Sequence, residues 1–159
     1  MRLSIHAIGK MRAGPEASLT QDYLKRARDM GRQLGFTGPY FFEFEPPRGL
    51  AGRARTNKEA DWLLNTAGDG PLIALDERGK NVSSEDFAAT LAKLRDDGAK
   101  QTSLVIGGAD GHAGAVRDKA LHILSFGKAT WPHMLVRAML AEQLYRTMTI
   151  LSGHPYHRS

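Results

Sequence analysis

Two short unbroken apolar runs, Leu72-Ile73-Ala74-Leu75 and Leu104-Val105-Ile106, constrain this chain more than any other feature. A strand with one wet face alternates apolar and polar residues, whereas these runs do not, so they read as strands buried on both faces. Each gives way to a turn and then to a helical pattern. Asp76 to Lys80 reads as a polar turn, and Ser83 or Ser84 caps a helix bearing Phe87, Leu91 and Leu94. Gly107-Gly108-Ala109-Asp110-Gly111 follows the second run and leads to a short helix around Ala113 to Ala120. Leu121 to Ser125 is the fifth strand.

The amino-terminal half repeats this alternation. Leu3 to Ile8 reads as a strand that stops at Gly9-Lys10. Ser18-Leu19-Thr20-Gln21 fits a capping box for a helix with Leu19, Tyr23, Ala27 and Met30 on one face. Tyr40 to Glu45 is the next strand, and Arg48 to Arg55 reads as a mobile basic loop. Thr56-Asn57-Lys58-Glu59 fits a second capping box. Strands alternating with helices predict an α/β fold, a mostly parallel sheet with helices on both faces. The 159 residues, with no linker or repeat, predict a single domain over 1–159.

There is no cysteine, which excludes disulfides and thiolate metal sites. No apolar run approaches a membrane span, and Met1 to His6 is too short and polar for a signal peptide, so the expectation is cytoplasmic, with no membrane partner. The formal charge of +5 favours a polyanionic partner such as RNA, although charge alone is weak evidence.

The last helix is predicted from about Pro132 to Leu151, with Thr130 as its N-cap. Met134, Ala138, Ala141, Tyr145 and Met148 make one apolar face; Val136, Leu140, Leu144 and Leu151 make another. A helix apolar on two sides is buried on two sides, either in its own core or against a second subunit. Arg137 and Arg146 project from roughly opposite sides, and Glu142 stands four residues before Arg146, the favourable order for an ion pair. The tail His154-Pro155-Tyr156-His157-Arg158 is too dense in functional side chains for a solubilising end. Two histidines three apart without a further ligand argue against a metal. Tyr156 suits stacking on a base or filling a groove, and Arg158 suits holding a phosphate or an oxyanion.

Val105 to Gly111, Ser125 with Thr130-x-Pro132-His133, Leu135-Val136-Arg137, Glu142 to Arg146 and the closing His-Pro-Tyr-His-Arg together resemble the RlmH family, SPOUT-class methyltransferases of large-subunit ribosomal RNA. The similarity spans the chain, is densest after residue 100 and is loose between 36 and 66. It implies a deep trefoil knot near the C-terminus, a homodimer, and S-adenosylmethionine as methyl donor. The implied reaction is methylation of N3 of a pseudouridine in the intersubunit hairpin of 23S rRNA in the assembled ribosome, without a metal. The alternative is a non-catalytic ribosome- or RNA-binding protein on the same fold. Carried over by position, Leu75, Gly107 and Gly127-Lys128-Ala129-Thr130-Trp131-Pro132 contact the cofactor. Tyr156, His157, Arg158 and Arg146 form the catalytic set: the arginines stabilise the N3 anion, His157 relays its proton and Tyr156 orients the base. Ala129 stands where the family usually has a larger apolar residue, and Trp131 where Phe or Leu is common.

Overall fold

The computed structural model describes residues 1–157. Five parallel strands form one sheet in the order β2-β1-β4-β3-β5. They are β1 (Arg2–Ile8), β2 (Thr37–Phe44), β3 (Leu72–Asn81), β4 (Gln101–Ile106) and β5 (His122–Ser125). The helices are α1 (Pro15–Gly31), α2 (Gly52–Ala67), α3 (Ser84–Asp96), α4 (Gly114–Lys119) and α5 (His133–Ser152), with a 3-10 turn at Arg32–Leu34.

The apolar runs divide as a pleat requires, because successive side chains point to opposite faces. Leu3, Ile5, Ile73, Leu75, Leu104 and Ile106 face α1, α3 and α5. Ile8, Leu72, Ala74 and Val105 face Ala60 and Leu63 of α2 and Val116 of α4. Helices therefore cover both faces, as the unbroken runs predict. Ser4 and His6 of β1 are also buried, satisfied by a hydrogen-bond chain in which His6 Nε2 meets Ser4 Oγ at 2.9 Å and Ser4 meets Ser103 at 3.0 Å.

Four local expectations are corrected. Helix α1 begins at Pro15 rather than at Ser18, because proline is preset for the first helical turn; Ser18 Oγ instead donates back to the Gly14 carbonyl. Helix α2 begins at Gly52, so Arg53 and Arg55 are helical rather than part of a loop, and Thr56 Oγ donates to the Gly52 and Arg53 carbonyls. Strand β3 does not end at Leu75. Its pairing with β5 jumps from Leu75 to Lys80 opposite the same Leu124, so Asp76 to Gly79 form a bulge, not a terminal turn. The N-cap of α5 is Pro132, not Thr130, and no side chain caps it. Ser83 caps α3 as expected, accepting from the Asp86 N–H at 3.0 Å.

Candidate active site

The carboxyl ends of β3, β4 and β5 meet at a cleft with an empty volume of about 700 Å³, open to solvent. Leu75, Gly107, Gly127, Ala129 and Trp131 line it, together with Asp76, Gly108, Phe126, His133 and Val136. Five of the eight expected cofactor residues thus share one cavity. Lys128, Thr130 and Pro132 lie on the same β5–α5 loop, exposed and outside the lining.

Glycine is required here by contact. A Cβ on Gly108 would stand 2.8 Å from Glu59 Oε2, and one on Gly107 3.1 Å from the Gly111 backbone. Gly127 adopts φ +104, and Ser125 Oγ donates to its carbonyl at 2.8 Å, which fixes the turn of the loop. Trp131 Nε1 donates to the Phe126 carbonyl at 3.3 Å, folding the loop back over its own start.

Two residues beneath the cleft escaped the sequence reading. Glu59 is 3 % exposed and accepts from Arg55 Nε at 2.8 Å. Its signal was present: Glu59, Leu63 and Ala67 repeat every four residues, which sets a carboxylate on the buried stripe of α2. His112 is buried, with Nε2 3.1 Å from the Leu75 carbonyl and Nδ1 without a partner. The carbonyl requires Nε2 to carry the proton, so Nδ1 presents a bare lone pair beside Gly107. Burial lowers the pKa of His112, and burial together with the Arg137 cation lowers that of His133. Asp76 stands 4.0 Å from Arg117, which also donates to the His112 carbonyl, so the two strand ends are tied together.

The tail residues lie at the other end of α5. Arg146 donates twice to Glu142 Oε1, at 2.9 Å from Nε and 2.5 Å from Nη2. Tyr156 donates to the same oxygen at 3.1 Å, lies 3.4 Å from the Tyr23 hydroxyl and packs its ring on Tyr145 with centroids 4.8 Å apart. Its tyrosine therefore fills a groove between α1 and α5. Burial, with the Tyr23 and Glu142 contacts, pushes the Tyr156 phenol up. The hydrogen bond it donates to Glu142 raises the pKa of Arg146, holding it as a fixed cation. His157 takes a hydrogen bond from Arg146 at Nδ1, 3.3 Å, and reaches Glu85 through Nε2 at 2.8 Å. Arg158 lies outside the described residues.

Arg137 has a different role from Arg146. It is fully buried, with Nη1 on Glu43 at 2.7 Å and Nη2 on the Ile8 and Gly9 carbonyls at 2.7 and 2.9 Å. It bolts α5 to the end of β1. His133 and Arg146 are thirteen residues apart on α5, about 20 Å along its axis, but Val136 of the cleft and Glu142 of the tail network are only six residues, about 9 Å, apart.

A glycine-backed cleft at the strand ends of this α/β sheet, closed by the loop into the last helix, defines a ligand-binding α/β protein. The chain is a member of the SPOUT methyltransferase family, whose model, described as "Predicted SPOUT methyltransferase", matches residues 1–157. Among its relatives is the ribosomal RNA large subunit methyltransferase H of Chelativorans sp. (strain BNC1), 50 % identical over 158 residues that cover 99 % of this chain and 91 % of the relative. The protein of that name from Hyphomonas neptunium is 50 % identical over 160 residues, covering all of both chains. A more distant likeness is to the crystal structure of the SpoU methyltransferase AviRb from Streptomyces viridochromogenes in complex with AdoMet. It has a TM-score of 0.41 and 14 % identity, covering 90 % of this chain and 56 % of that one, too low for an argument from fold.

Proposed function

We propose that this chain methylates N3 of a pseudouridine in the intersubunit hairpin of 23S rRNA, in the assembled ribosome, with S-adenosylmethionine as donor. Full-length relatives at 50 % identity bearing the name ribosomal RNA large subunit methyltransferase H support the RNA target. The cleft's position suits the donor, since ligands in open α/β sheets sit at the carboxyl ends of the strands and glycine backbone lets them approach closely. Asp76 and Glu77 at its wall suit a molecule carrying a sulfonium and an ammonium. When bound, the donor supplies an electrophilic methyl group. The chain's own residues then have to hold the base nitrogen in line and accommodate the proton it loses.

The observation that carries the catalytic assignment is the Glu142–Arg146–Tyr156 network. Arg146 is held as a cation and stabilises the N3 anion, Tyr156 orients the base and His157 relays the proton, with Arg158 as the second cation. Tyr156 itself is no base, since its phenol is pushed up. Arg146, Tyr156 and His157 do not line the cleft of their own chain, which supports a tail that acts on another copy. The tail serves the cleft of a second copy in a homodimer. Half-exposed apolar residues between α1 and α5, Leu19, Leu135 and Met139 around a groove of about 590 Å³, support such a partner. The trefoil crossing belongs to the same reading: after edge strand β5 the chain returns across the sheet to seat α5 on α1 and β1.

The test is transfer of labelled methyl from S-adenosylmethionine to ribosomes, isolated large subunits and naked rRNA that lack the modification, with the full chain and with one truncated after Gly153. Label in ribosomes alone, lost on truncation, is the expected result. Ribosome binding without transfer would favour the non-catalytic RNA-binding alternative.

A further inference from the structure

We propose that Lys10, Arg12, Arg48 and Arg53 form a phosphate-binding lip that grips the ribosomal RNA backbone beside the cleft. This rests on the RNA-methylating function above and names a surface for it. All four are exposed, and among the described residues none has a carboxylate within ion-pairing distance. Lys10 and Arg12 sit on the β1–α1 connection, Arg48 on the β2–α2 connection and Arg53 in the first turn of α2, at the carboxyl edge of the sheet where the cleft opens.

The local acids are turned to another use. Glu45 accepts from the Lys10 backbone N–H at 2.9 Å, and Glu43 from that of Met11 at 2.6 Å. Glu43 also takes the buried Arg137. The carboxylates therefore bolt the β1–α1 turn to the end of β2 and leave the side chains of Lys10 and Arg12 in solvent. A fixed turn that presents cations outward is preorganised for an anion.

The second observation is that Arg53 breaks a local rule. The first turn of a helix carries a partial positive charge and favours acids. Helices α1 and α3 obey, with Glu16, and with Glu85 and Asp86, whereas α4 and α5 have no acid there. The first turn of α2 has no acid and carries Arg53 and Arg55 instead. Arg55 is compensated by Glu59, but Arg53 is not. Two cations at a positive helix end are unfavourable in the free protein, and a polyanion reverses the sign of that term.

The test uses the full chain with unmodified ribosomes over a salt series. The variants are Arg12→Gln/Arg48→Gln/Arg53→Gln and a control, Lys100→Gln, at the opposite edge of the sheet. Each lost phosphate contact reduces the slope of log affinity against log salt by about 0.7 to 0.9. The triple variant is therefore expected to bind at least 100-fold more weakly at low salt, with a slope shallower by about 2 to 3. Its affinity for S-adenosylmethionine should equal that of the parent, and Lys100→Gln should match the parent in both. An unchanged slope and affinity for the triple variant would overturn the lip while leaving methylation by the parent intact. Absence of methylation by the parent would instead overturn the underlying function.

Discussion

The two ends of α5 do opposite things with the same helix. At the amino end, His133 and Val136 open onto a cleft whose far wall is glycine backbone, and the only arginine nearby on the helix, Arg137, is withdrawn from solvent and spent on Glu43 and two carbonyls. Toward the carboxyl end, Glu142 borders an apolar groove against α1 instead. Arg146 stays at the surface, crowded by Glu142, Tyr156 and His157. One end is shaped to receive a molecule and the other to present charge. The difference teaches that the cleft and the candidate catalytic side chains are built at different places on one helix, and the proposed homodimer is what would join them.

Several changes test this division. The largest effect is expected from Gly108→Val, which drives a side chain into Glu59 and closes the cleft from behind. Titration calorimetry should show S-adenosylmethionine affinity reduced at least about 100-fold, since avoiding the clash must push the buried Glu59 carboxylate off Arg55 or shift the Gly108 turn toward the cleft. The tail network, read by near-ultraviolet dichroism of its tyrosines, should survive. Next comes the contrast between the arginines. Arg137→Met strands Glu43 and two carbonyls and should cost about 3–5 kcal/mol in urea unfolding, whereas Arg146→Met, at a pair that keeps some contact with solvent, should cost about 1 kcal/mol. Equal costs would break the distinction between bolt and catalytic cation. Tyr156→Phe should lower methyl transfer by about 10-fold or more, as loss of a hydrogen bond to a charged group does, with cofactor affinity unchanged. A parallel loss of cofactor affinity would mean the two ends are not separate.

The smallest effect is in pH. Burial first, then the Arg2 cation, lower the pKa of His6 to about 4, and burial lowers those of His112 and His133. The unfolded chain then binds more protons than the native one between pH 6.5 and about 4, so stability is complete above 6.5 and is lost as pH falls through that window. All three histidines lie in the sheet and cleft half. Thermal unfolding midpoints of His6→Asn should fall less steeply with acid than those of the parent. An identical slope would remove His6 from the account.

The layered sheet was legible because Leu72 to Leu75 and Leu104 to Ile106 leave a strand no wet face. The cleft was legible in part, through Leu75, Gly107 and the 127–132 loop. Helix starts were not: Pro15 and Gly52 open α1 and α2 without a side-chain cap, while Ser18 and Thr56 imitate caps from inside the helix. Asp76 to Lys80 looked like a turn because a bulge and a turn share a polar composition, and only pairing with β5 separates them. His112 left no signal, since its contact with Leu75 spans 37 positions. The burial of Arg137 was equally hidden, because its partners lie on strands more than ninety residues away.

The most direct measurement mixes two inactive variants, Gly108→Val with an intact tail and the chain truncated after Gly153 with an intact cleft, and assays methyl transfer to ribosomes after subunit exchange. If the tail of one chain serves the cleft of the other, each mixed dimer has one working site and about a quarter of parental activity returns. If no activity returns while mixed dimers are present, each tail serves its own cleft and the division of labour between the ends of α5 is wrong.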